Sequence, residues 1–348
     1  MTYLNQYIFT EIVLLIIMVV IINMQNVYTT RKNMGLFFNS ALLIRSYSSL
    51  DSKNNNYKKL DPNWVSGLVD AEGSFIVFIK LDSSNKVRQV QLSFEINLHI
   101  KDIDLLYKLK SFFGEAGNIS IPSTRKDARL KITSINEIYQ YVIPHFKGYP
   151  LQGMKKLDYD LWVKCAELIL NKEHLQKEGL YKILSIKSVL NKGLSDKLKA
   201  IFPNVKVIDK PILEVVDIPL NPNYISGFSE GESCFSVNIS SKTNQNIATY
   251  IIELHNRDIL LLHKIQKFFK NAGFINSSLA RNSARFYISR KSDLINIVLP
   301  HFDVYQLQGN KLKNYLIFKE IVLLVNSKAH LTPEGFNKIK LLKEGLNK

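Results

Sequence analysis

The sequence predicts an α+β fold built from two similar halves, each running helix, strand, strand, helix, strand, strand, helix. Three observations lead to this prediction: a long internal repeat, an alternation of apolar and polar residues typical of half-buried strands, and a short helix of apolar and small residues at the start of each half. The length of 348 residues and the apolar fraction of 46% are sufficient for two domains, or for one domain made of two similar halves.

The internal repeat is the firmest of these observations. LHIKDIDLLYKLKSFFGEAGNIS at 98–120 returns as LHNRDILLLHKIQKFFKNAGFIN at 254–276, and VIPHFKGYPLQGMKK at 142–156 returns as VLPHFDVYQLQGNKL at 298–312. Collinear matches of this length indicate a duplicated domain. We expect a first repeat at 51–192, a proline-containing linker at 193–220 and a second repeat at 221–348.

Each repeat opens with a predicted helix. The two stretches are WVSGLVDAEGSF at 64–75 and YISGFSEGESCF at 224–235, and Asp61 and Pro62 are start signals for the first. Small residues recur four positions apart, at Gly67 and Ala71 in the first stretch and at Gly227 and Gly231 in the second. Residues with this spacing share a helix face, and small ones allow a second backbone to come close. We therefore expect the two helices to pack together, with Glu72 and Glu232 as neighbours at their ends.

A hairpin follows the first helix. Residues 74–81 are rich in β-formers, and DSSNK at 82–86 has the composition of a turn. The return strand alternates, with Val90, Leu92, Phe94, Ile96 and Leu98 on one face and Gln89, Gln91, Ser93, Glu95 and Asn97 on the other. One face of this strand is expected to be buried and the other to stay polar.

An amphipathic helix and a second hairpin complete the predicted core of each repeat. The helix spans 102–113 and is ended by Gly114. The hairpin turns around STRKDA at 123–128. Its outgoing strand places Arg129, Lys131 and Thr133 at alternate positions, where the second repeat has Arg285, Tyr287 and Ser289.

The net charge of +16 lies almost entirely on the repeats. The first fifty residues contribute +2, from Arg31, Lys32 and Arg45 against Glu11, which leaves +14 for the rest. So basic a surface favours a polyanionic partner, nucleic acid first and an anionic membrane second. The two cysteines stand far apart and outside any C-x-x-C spacing, so neither a disulfide framework nor a cysteine zinc site is predicted.

Residues 1–50 differ in composition from the repeats. An apolar run of eleven at 12–22 is shorter than the ~18 to 20 residues that span a bilayer. No acid occurs from 12 to 50, while arginine, serine and threonine recur. This composition is typical of a mitochondrial transit peptide, so the sequence predicts a mitochondrial protein. A membrane anchor, or an unstructured extension shared with an upstream reading frame, is the alternative.

The paired acids Glu72 and Glu232 suggest a chemistry. Two carboxylates held close in a partly dry site repel each other, which either raises one pKa or recruits a divalent cation. Beside a phosphodiester such a cation, with Mg²⁺ suited to the oxygen ligands, would activate a water for hydrolysis. The alternative is ordinary helix packing with two acids solvating helix ends. The recurrence of the pair at matched places in a basic protein favours the metal.

At these residues the sequence resembles a known family. VSGLVDAEG at 65–73 is similar to the LAGLIDADG signature, and ISGFSEGES at 225–233 resembles it more weakly, because Ser233 replaces the last glycine and Glu230 the usual aspartate. The resemblance extends over both repeats, including the hairpins and the LQGxK segments. It implies a monomeric, pseudo-twofold homing endonuclease of the organellar intron-encoded type, with Glu72 and Glu232 as metal-binding acids and Mg²⁺ or Mn²⁺ as cofactor.

The resemblance also implies a cationic helper near each scissile phosphate. Gln152 and Lys155 match Gln308 and Lys311 across the repeats, so these four residues are the candidates, the lysines before the glutamines. A solvated helix start in a lysine-rich protein is the alternative interpretation.

Double-stranded DNA is the partner that the resemblance implies. Two four-stranded sheets would form a saddle, each repeat covering about one helical turn of ~10 base pairs, on a long asymmetric target whose cleavage promotes intron mobility. The expected contacts are Lys80, Arg88, Gln89, Gln91, Arg125, Lys126, Arg129, Lys131, Lys242, Asn244, Arg281 and Arg285. Glutamine and arginine suit base edges, whereas lysine mostly meets phosphate.

Other functions stay open at this point. An RNA-binding intron maturase on the same fold, alone or as a second activity, would keep the basic saddle without needing both acids. A DNA-binding regulator with an inactive site is disfavoured by the two glutamates, and no membrane partner is required. The repeated histidines, His99 with His255 and His145 with His301, are expected to be structural rather than catalytic.

Overall fold

The computed structural model of the protein describes residues 59–122, 126–213, 218–239 and 246–347, with only the backbone at 246 and 247. Both repeats lie in one unit that begins at residue 59. The expectations for residues 1–50, and for Arg125, Lys242 and Asn244 as DNA contacts, fall outside the described residues.

The first repeat begins with α1 and two hairpins separated by a helix. Its elements are α1 (Pro62–Glu72), β1 (Gly73–Leu81), β2 (Val87–His99), a 3₁₀ turn (Ile100–Asp102), α2 (Ile103–Phe112), β3 (Asn118–Ser120) and β4 (Asp127–Ile132). A helical turn (Ile135–Glu137) and a π-helix (Ile138–Val142) lead into α3 (Ile143–Gly148), followed by α4 (Lys155–Leu170), a 3₁₀ turn (Glu173–Leu175) and α5 (Lys177–Val189). In the described part of the segment expected to be a linker, residues 196–201 form a helix, α6 (Asp196–Ile201).

The second repeat has the same order of elements. They are α7 (Pro222–Glu232), β5 (Ser233–Ile239), β6 (Asn246–His255), a 3₁₀ turn (Asn256–Asp258), α8 (Ile259–Phe268), β7 (Phe274–Ser278) and β8 (Ser283–Ile288). A helical turn (Lys291–Asp293) and a π-helix (Leu294–Val298) precede α9 (Leu299–Val304), α10 (Lys311–Asn326), a 3₁₀ turn (Ala329–Leu331) and α11 (Pro333–Glu344). The predicted α+β fold with two αββαββα repeats is confirmed. Among the described residues, none of the helices combines the length and apolar character needed to cross a membrane.

Each repeat contains a four-stranded antiparallel sheet. The strand orders are β1-β2-β4-β3 and β5-β6-β8-β7. Helices cover one face of each sheet, and the aromatic rings of Phe75 and Phe235 lie at the centres of the two separate cores. The alternate strand residues, such as Phe78 and Gln91 in the first sheet, form the opposite face, which we call the open face.

The alternation of β2 produces this two-sided sheet, with one difference from expectation. Phe94 and Ile96 are fully buried in the core, as predicted. On the opposite, polar face, Ser93 and Glu95 are buried as well. Their cover comes from the neighbouring strands, since Glu95 pairs in register with Lys131 of β4. Polar residues in the middle of a sheet are shielded by their cross-strand neighbours in a way that a single strand does not reveal.

The motif helices begin where the sequence signals predict. The side chain of Asp61 accepts hydrogen bonds from the amides of Asn63 at 2.8 Å and Trp64 at 3.3 Å. Asn221 caps α7 in the same way, accepting from the amide of Asn223 at 2.8 Å. A cap of this kind stabilises a helix by about 1 kcal/mol.

Candidate functional site

The two motif helices, α1 and α7, pack directly against each other through their glycines. A methyl group on Gly67 would overlap the carbonyl oxygen of Tyr224, and one on Gly227 would overlap that of Trp64. Because the obstructing atoms belong to the main chain, they cannot rotate away. The expected close packing of the small-residue faces is confirmed, and it fixes where the two helices end.

The helices end side by side at Glu72 and Glu232. A methyl group on Gly231, one residue before Glu232, would lie 3.1 Å from Oε1 of Glu72. Burial raises the pKa of both glutamates, and at Glu232 the charge of Glu72 raises it further. The two carboxyls are therefore protonated more easily than free glutamate, and a bound cation would reverse this preference.

A buried lysine binds the end of each motif helix. Nζ of Lys155 donates to the carbonyl oxygens of Val69 at 3.0 Å and Ala71 at 2.9 Å, immediately before Glu72. The last carbonyls of a helix lack partners within it and carry partial negative charge, so a cation is stabilising there. Burial lowers the pKa of Lys155, while neighbouring acids, Asp70 foremost, act to raise it.

The matching lysine of the second repeat, Lys311, donates three hydrogen bonds to the end of its motif helix, one more than Lys155. Nζ of Lys311 donates to the carbonyl oxygens of Ser229 at 3.0 Å, Gly231 at 2.9 Å and Ser233 at 2.7 Å. An ammonium group has three hydrogens, so these bonds occupy all of them. Bonds to the described residues account for two of the three hydrogens of Lys155. The two halves of the site therefore differ in a way that the sequence does not show.

A second acid in each motif holds the loop before the lysine. Oδ2 of Asp70 accepts from the amides of Gln152 at 2.6 Å and Gly153 at 2.8 Å, and from the hydroxyl of Tyr224 at 2.7 Å. In the second repeat, Oε2 of Glu230 accepts from the amides of Gln308 at 2.8 Å and Gly309 at 3.1 Å. Burial raises the pKa of both acids. Our sequence reasoning missed this role, although the paired acid and LQG segments were visible in both repeats.

The two glutamines reach the site through their backbone. Their amides bind Asp70 and Glu230, while the side-chain Nε2 atoms donate to their own loops, to Pro150 at 3.0 Å for Gln152 and to Gln306 at 3.3 Å for Gln308. The structure thus brings all four candidate helper residues to the ends of the motif helices. The lysines bind there through their side chains, whereas the glutamines bind through their backbone amides.

A cleft of about 230 Å³ lies beside Glu232 and is lined by residues of both repeats. Lys155 and Asp70 come from the first repeat, while Glu232 and Asp258 come from the second. Carboxylates outnumber cations in the lining, which favours a positively charged occupant.

Compensating changes accommodate the divergent second motif. A methyl group on Gly73 would lie 2.5 Å from Cγ1 and 2.7 Å from the carbonyl oxygen of Val69, so the first motif leaves no room for a side chain at this position. The second motif has Ser229 in place of the valine, and Oγ of Ser233 donates to its carbonyl oxygen at 2.7 Å. Oγ of Ser229 in turn lies 2.6 Å from the hydroxyl of Tyr250. The two serines of the SEGES stretch thus make hydrogen bonds that the valine and glycine of the first motif cannot make through their side chains.

The repeated histidines are structural, in line with the sequence interpretation. Oγ of Ser66 lies 3.1 Å from Nε2 of His145 and donates at 2.7 Å to the carbonyl of Tyr149. Ser226, His301 and Tyr305 form the same arrangement in the second repeat. Burial lowers the pKa of each of these histidines to about 4. His99 and His255 cap the 3₁₀ turns, accepting from the amides two residues later at 3.2 Å.

Comparison with known proteins agrees with this geometry. The family model for the LAGLIDADG endonuclease matches residues 65–166 and 225–322, which together are more than half of the chain. The chain belongs to the LAGLIDADG endonuclease family. The two matched segments contain the motif-helix ends, the sheets and the lysines described above.

The relatives of this LAGLIDADG protein include intron-encoded proteins. "Probable intron-encoded endonuclease 2" of Neurospora crassa is 35% identical over 297 residues, covering 82% of this chain and 65% of the relative. An uncharacterized mitochondrial protein of Saccharomyces cerevisiae is 23% identical over 321 residues, covering 86% of this chain and 63% of the relative. The chain thus spans a little under two thirds of the length of these curated relatives.

A solved structure supports the same relationship. The LAGLIDADG homing endonuclease I-SmaMI bound to cleaved DNA matches with a TM-score of 0.79 and 34% identity, covering 83% of this chain and 97% of that one. I-SmaMI has also been solved with an uncleaved DNA target in the presence of calcium ions.

The open face of the first sheet in this LAGLIDADG protein holds several of the expected DNA contacts. Lys80 and Gln89 are exposed cross-strand partners, joined by a hydrogen bond of 3.2 Å from Nζ to Oε1. Gln91 lies on the same face opposite Phe78. Arg88 is exposed and lies at an irregularity of the register, between the pairs Lys80 with Gln89 and Leu81 with Val87. Strand alternation does not assign its side chain to a face there.

Two further expected contacts on this face are already paired. Nη1 of Arg129 lies 3.1 Å and Nζ of Lys131 lies 3.0 Å from the carboxylate of Glu95, whose side chain is 3% exposed. Oγ of Ser93 donates to the same carboxylate at 2.8 Å, and Nε of Arg129 donates to Asn97 at 2.6 Å. Glu95 therefore fixes two cations on the open face, a role that the sequence alternation did not indicate.

The second sheet presents a different open face. Arg285 pairs with Glu253 at 2.6 Å, while the ring of Tyr287 lies next to that of Phe274, with centroids 5.9 Å apart and planes tilted by 38°. Ile251 lies beside Tyr287 in register, where the first sheet has the charged pair Glu95 and Lys131. Arg281 and Lys126 are exposed in the turns.

Proposed function

We propose that this LAGLIDADG protein is a site-specific, metal-dependent DNA endonuclease that cuts both strands of a long asymmetric target and thereby promotes the mobility of its intron. The observation that supports this function best is the meeting of Glu72 and Glu232 at the ends of two interlocked helices, between two sheets with open polar faces. The curated relative from Neurospora crassa is named a probable endonuclease, and I-SmaMI has been solved with DNA.

Glu72 and Glu232 are the residues that would hold the cation, which we expect to be Mg²⁺ or Mn²⁺. Their oxygens are the ligands that these hard cations prefer. Burial raises the pKa of each carboxyl, and Lys155 and Lys311 offset this effect only in part. In the part of the chain that the structure describes, no cluster of three or more His, Cys, Asp or Glu side chains is placed to bind a metal. Phosphate and water oxygens would therefore complete the shell. A divalent cation bound there lowers the pKa of water and neutralises charge on the phosphate.

The lysines are expected to support the glutamates and to add positive charge. Lys155 and Lys311 hold the carbonyls that precede Glu72 and Glu232, so they fix the directions in which these side chains leave the helices. Fixed positive charge at this place stabilises negative charge that develops on a phosphate. Because Lys311 has all three hydrogens engaged, Lys155 is the better candidate for direct contact with substrate.

The open sheet faces are the proposed DNA surface. Their different chemistry, charged in the first repeat and partly aromatic in the second, supports an asymmetric target read by a monomer with pseudo-twofold symmetry. Retention of both glutamates favours cleavage over a function in RNA splicing alone.

The test uses the purified full-length chain and a pool of random duplexes, with and without Mg²⁺. Selective cutting of both strands that requires the cation is expected, whereas binding without Mg²⁺-dependent cutting would contradict the proposal. The exons joined without the intron are the first defined target to test, because an intron inserted there would have destroyed the site.

Two substitutions examine the metal ligands. Glu72→Gln and Glu232→Gln should each keep DNA affinity and reduce double-strand cleavage by at least about a hundredfold. Glu334→Gln, at an exposed position of α11, changes the charge equally and should cut normally. Normal cutting by both motif variants would disprove the assignment.

We also infer that the protein resides in mitochondria, from the acid-free composition of residues 12–50 and from the mitochondrial name of one relative. Fluorescent fusions with and without residues 1–50 test this location. Cytosolic fluorescence of the full-length fusion would contradict it.

A further inference from the structure

Asp102 and Asp258 stand at matched places in the two repeats, each just before a helix that it does not cap. They precede α2 and α8, and neither side chain makes a cap hydrogen bond to its own helix. An aspartate at this position normally binds the free amides of the helix that follows. Here both carboxylates are directed elsewhere.

Each of these aspartates binds the opposite repeat. Oδ1 of Asp258 accepts from the amide of Met154 at 2.8 Å, and Oδ1 of Asp102 accepts from the amide of Asn310 at 2.6 Å. The side chain of Asn310 also binds Asp102 and the carbonyl of Lys101. The exchange is reciprocal, since each repeat gives one carboxylate and receives one.

The recipients are the starts of the lysine-bearing helices. Met154 and Asn310 are the cap positions of α4 and α10, and neither of these helices receives a hydrogen bond from the side chain of its own cap residue. A carboxylate at a helix start is favourable for two reasons, the free amides and the positive end of the helix dipole. The opposite repeat therefore supplies the cap that α4 and α10 lack.

The first residue of each capped helix is a lysine that binds a motif-helix end. Lys155 follows Met154 directly and binds the carbonyls of Val69 and Ala71, next to Glu72. Lys311 follows Asn310 and binds the carbonyls that precede Glu232. A change in position of either helix start therefore moves the lysine that follows it, and with it the glutamate next to the carbonyls that this lysine binds.

The space around these loops leaves little freedom. A methyl group on Gly153 would lie 3.0 Å from Asp70 and 3.2 Å from Asp258, so acids from both repeats enclose this turn. Gly309 is enclosed in the same way by Glu230 and Asp102. Asp258 also lines the cleft that contains Lys155 and Glu232.

We propose that Asp102 and Asp258 are reciprocal positioning residues: Asp258 sets the lysine and glutamate of the first repeat, and Asp102 sets those of the second. This inference rests on the proposed endonuclease function. It makes the geometry of each half of the site depend on one aspartate of the other repeat.

The experiment follows each strand separately. The full-length protein is mixed in excess with a target duplex that has a different fluorophore on each 5′ end, so that single-turnover rates of the two nicks are measured together. Lys155→Met and Lys311→Met first show which strand depends on which lysine. Asp258→Ala should then slow the Lys155-dependent strand about tenfold and the other strand less than about twofold. Asp102→Ala should do the same for the Lys311-dependent strand.

The conservative variant separates positioning from folding. Asp258→Asn keeps an oxygen acceptor but loses the charge that strengthens the bond, so it should slow the same strand only about threefold. This intermediate rate also keeps the test valid if the alanine variant does not fold. Asp104→Ala, an exposed position in the first turn of α2, should leave both rates unchanged. DNA affinity should stay the same in all of these variants.

Several results would overturn the inference. They are equal slowing of both strands by Asp258→Ala, slowing of the strand that depends on Lys311, no slowing at all, or lysine variants that do not distinguish the strands. If the wild-type protein cuts no duplex, the proposed function fails instead, so the two failures are distinguishable.

Discussion

Gly227 of α7 lies so close to the main chain of Trp64 in α1 that a methyl group would overlap the tryptophan carbonyl oxygen. This contact, with its counterpart between Gly67 and Tyr224, holds the two motif helices at a distance that only glycine permits. The position of Glu72 relative to Glu232 depends on it.

We predict that Gly227→Ala lowers the free energy of unfolding by about 2 to 3 kcal/mol, because the backbone of α1 must move to admit the methyl group. Urea unfolding measures the effect. Gly148→Ala is the matched control, since a methyl group at the end of α3 would meet no atom within 4 Å. Its change should stay within about 0.5 kcal/mol. Equal effects at the two glycines would contradict the close contact.

A second prediction concerns the divergent motif. Ser229→Val alone should destabilise the protein by about 1 to 3 kcal/mol. At the matched place in the first motif, a methyl group on Gly73 would lie 2.5 Å from Cγ1 of Val69, and the hydroxyl of Tyr250 loses its partner Ser229 in this variant. Adding Ser233→Gly recreates the first motif and should recover part of the loss. The interaction energy comes from a double-mutant cycle in urea. Strictly additive effects would show that the two serines are not a compensating pair.

The repeat, the motif helices and the four strands of each sheet could be predicted from the sequence, because each depends on local signals. Asp61 marks a helix start, β2 alternates with period two, and the small residues of α1 and α7 have a spacing that favours close packing. The duplication made these predictions firmer, because each local signal occurs in both repeats.

The connections between the repeats could not be predicted in this way. Asp258 and Met154 are 104 positions apart, and Asp102 and Asn310 are 208 apart, so their bonds appear only once the two repeats are packed. The burial of Glu95 similarly depends on the register between β2 and β4. Recurrence of the aspartate in LHIKDID and LHNRDIL was the one available signal, and an ordinary helix cap explained it equally well.

The buried histidines predict how stability depends on pH. The pKa of His145 and of His301 is lowered to about 4, against an ordinary value of 6.5 in the unfolded chain. Between these values the unfolded chain binds more protons, so their contribution is present above pH 6.5 and is lost as the pH falls toward 4. The loss is on the order of 3 kcal/mol for each histidine.

Urea unfolding between pH 7 and pH 4.5 checks this dependence. Because the pKa of Glu72 and of Glu232 is raised, these two groups make the folded protein more stable as the pH falls, which opposes the effect of the histidines. The quantity to compare is therefore the difference in unfolding free energy between wild type and variant at each pH. His145→Gln keeps a nitrogen donor for Ser66 and should lose less stability on acidification. His263→Gln, at an exposed position of α8, should behave like the wild type. Because His301 is unchanged in this variant, about half of the loss should remain, and a loss as large as that of the wild type would contradict the role of His145.

The ion pairs of Glu95 lead to a prediction about recognition. Arg129 and Lys131 are held by one buried carboxylate on the open sheet face, which limits their access to phosphate. In Glu95→Gln the two cations are released, so we expect tighter binding to non-specific DNA and poorer discrimination of the target. Each phosphate newly neutralised makes the slope of log Kobs against log salt steeper by about 0.9.

Salt titrations of the wild type and of Glu95→Gln, on target and on random duplex, measure both quantities. Glu178→Gln changes the net charge by the same amount at an exposed position of α5, so it controls for general electrostatics. The slope should become steeper by about 1 to 2 in Glu95→Gln and stay the same in the control. Because a purely structural role for Glu95 would weaken binding to both duplexes, a uniform loss of affinity with an unchanged slope would contradict its function in restraining Arg129 and Lys131.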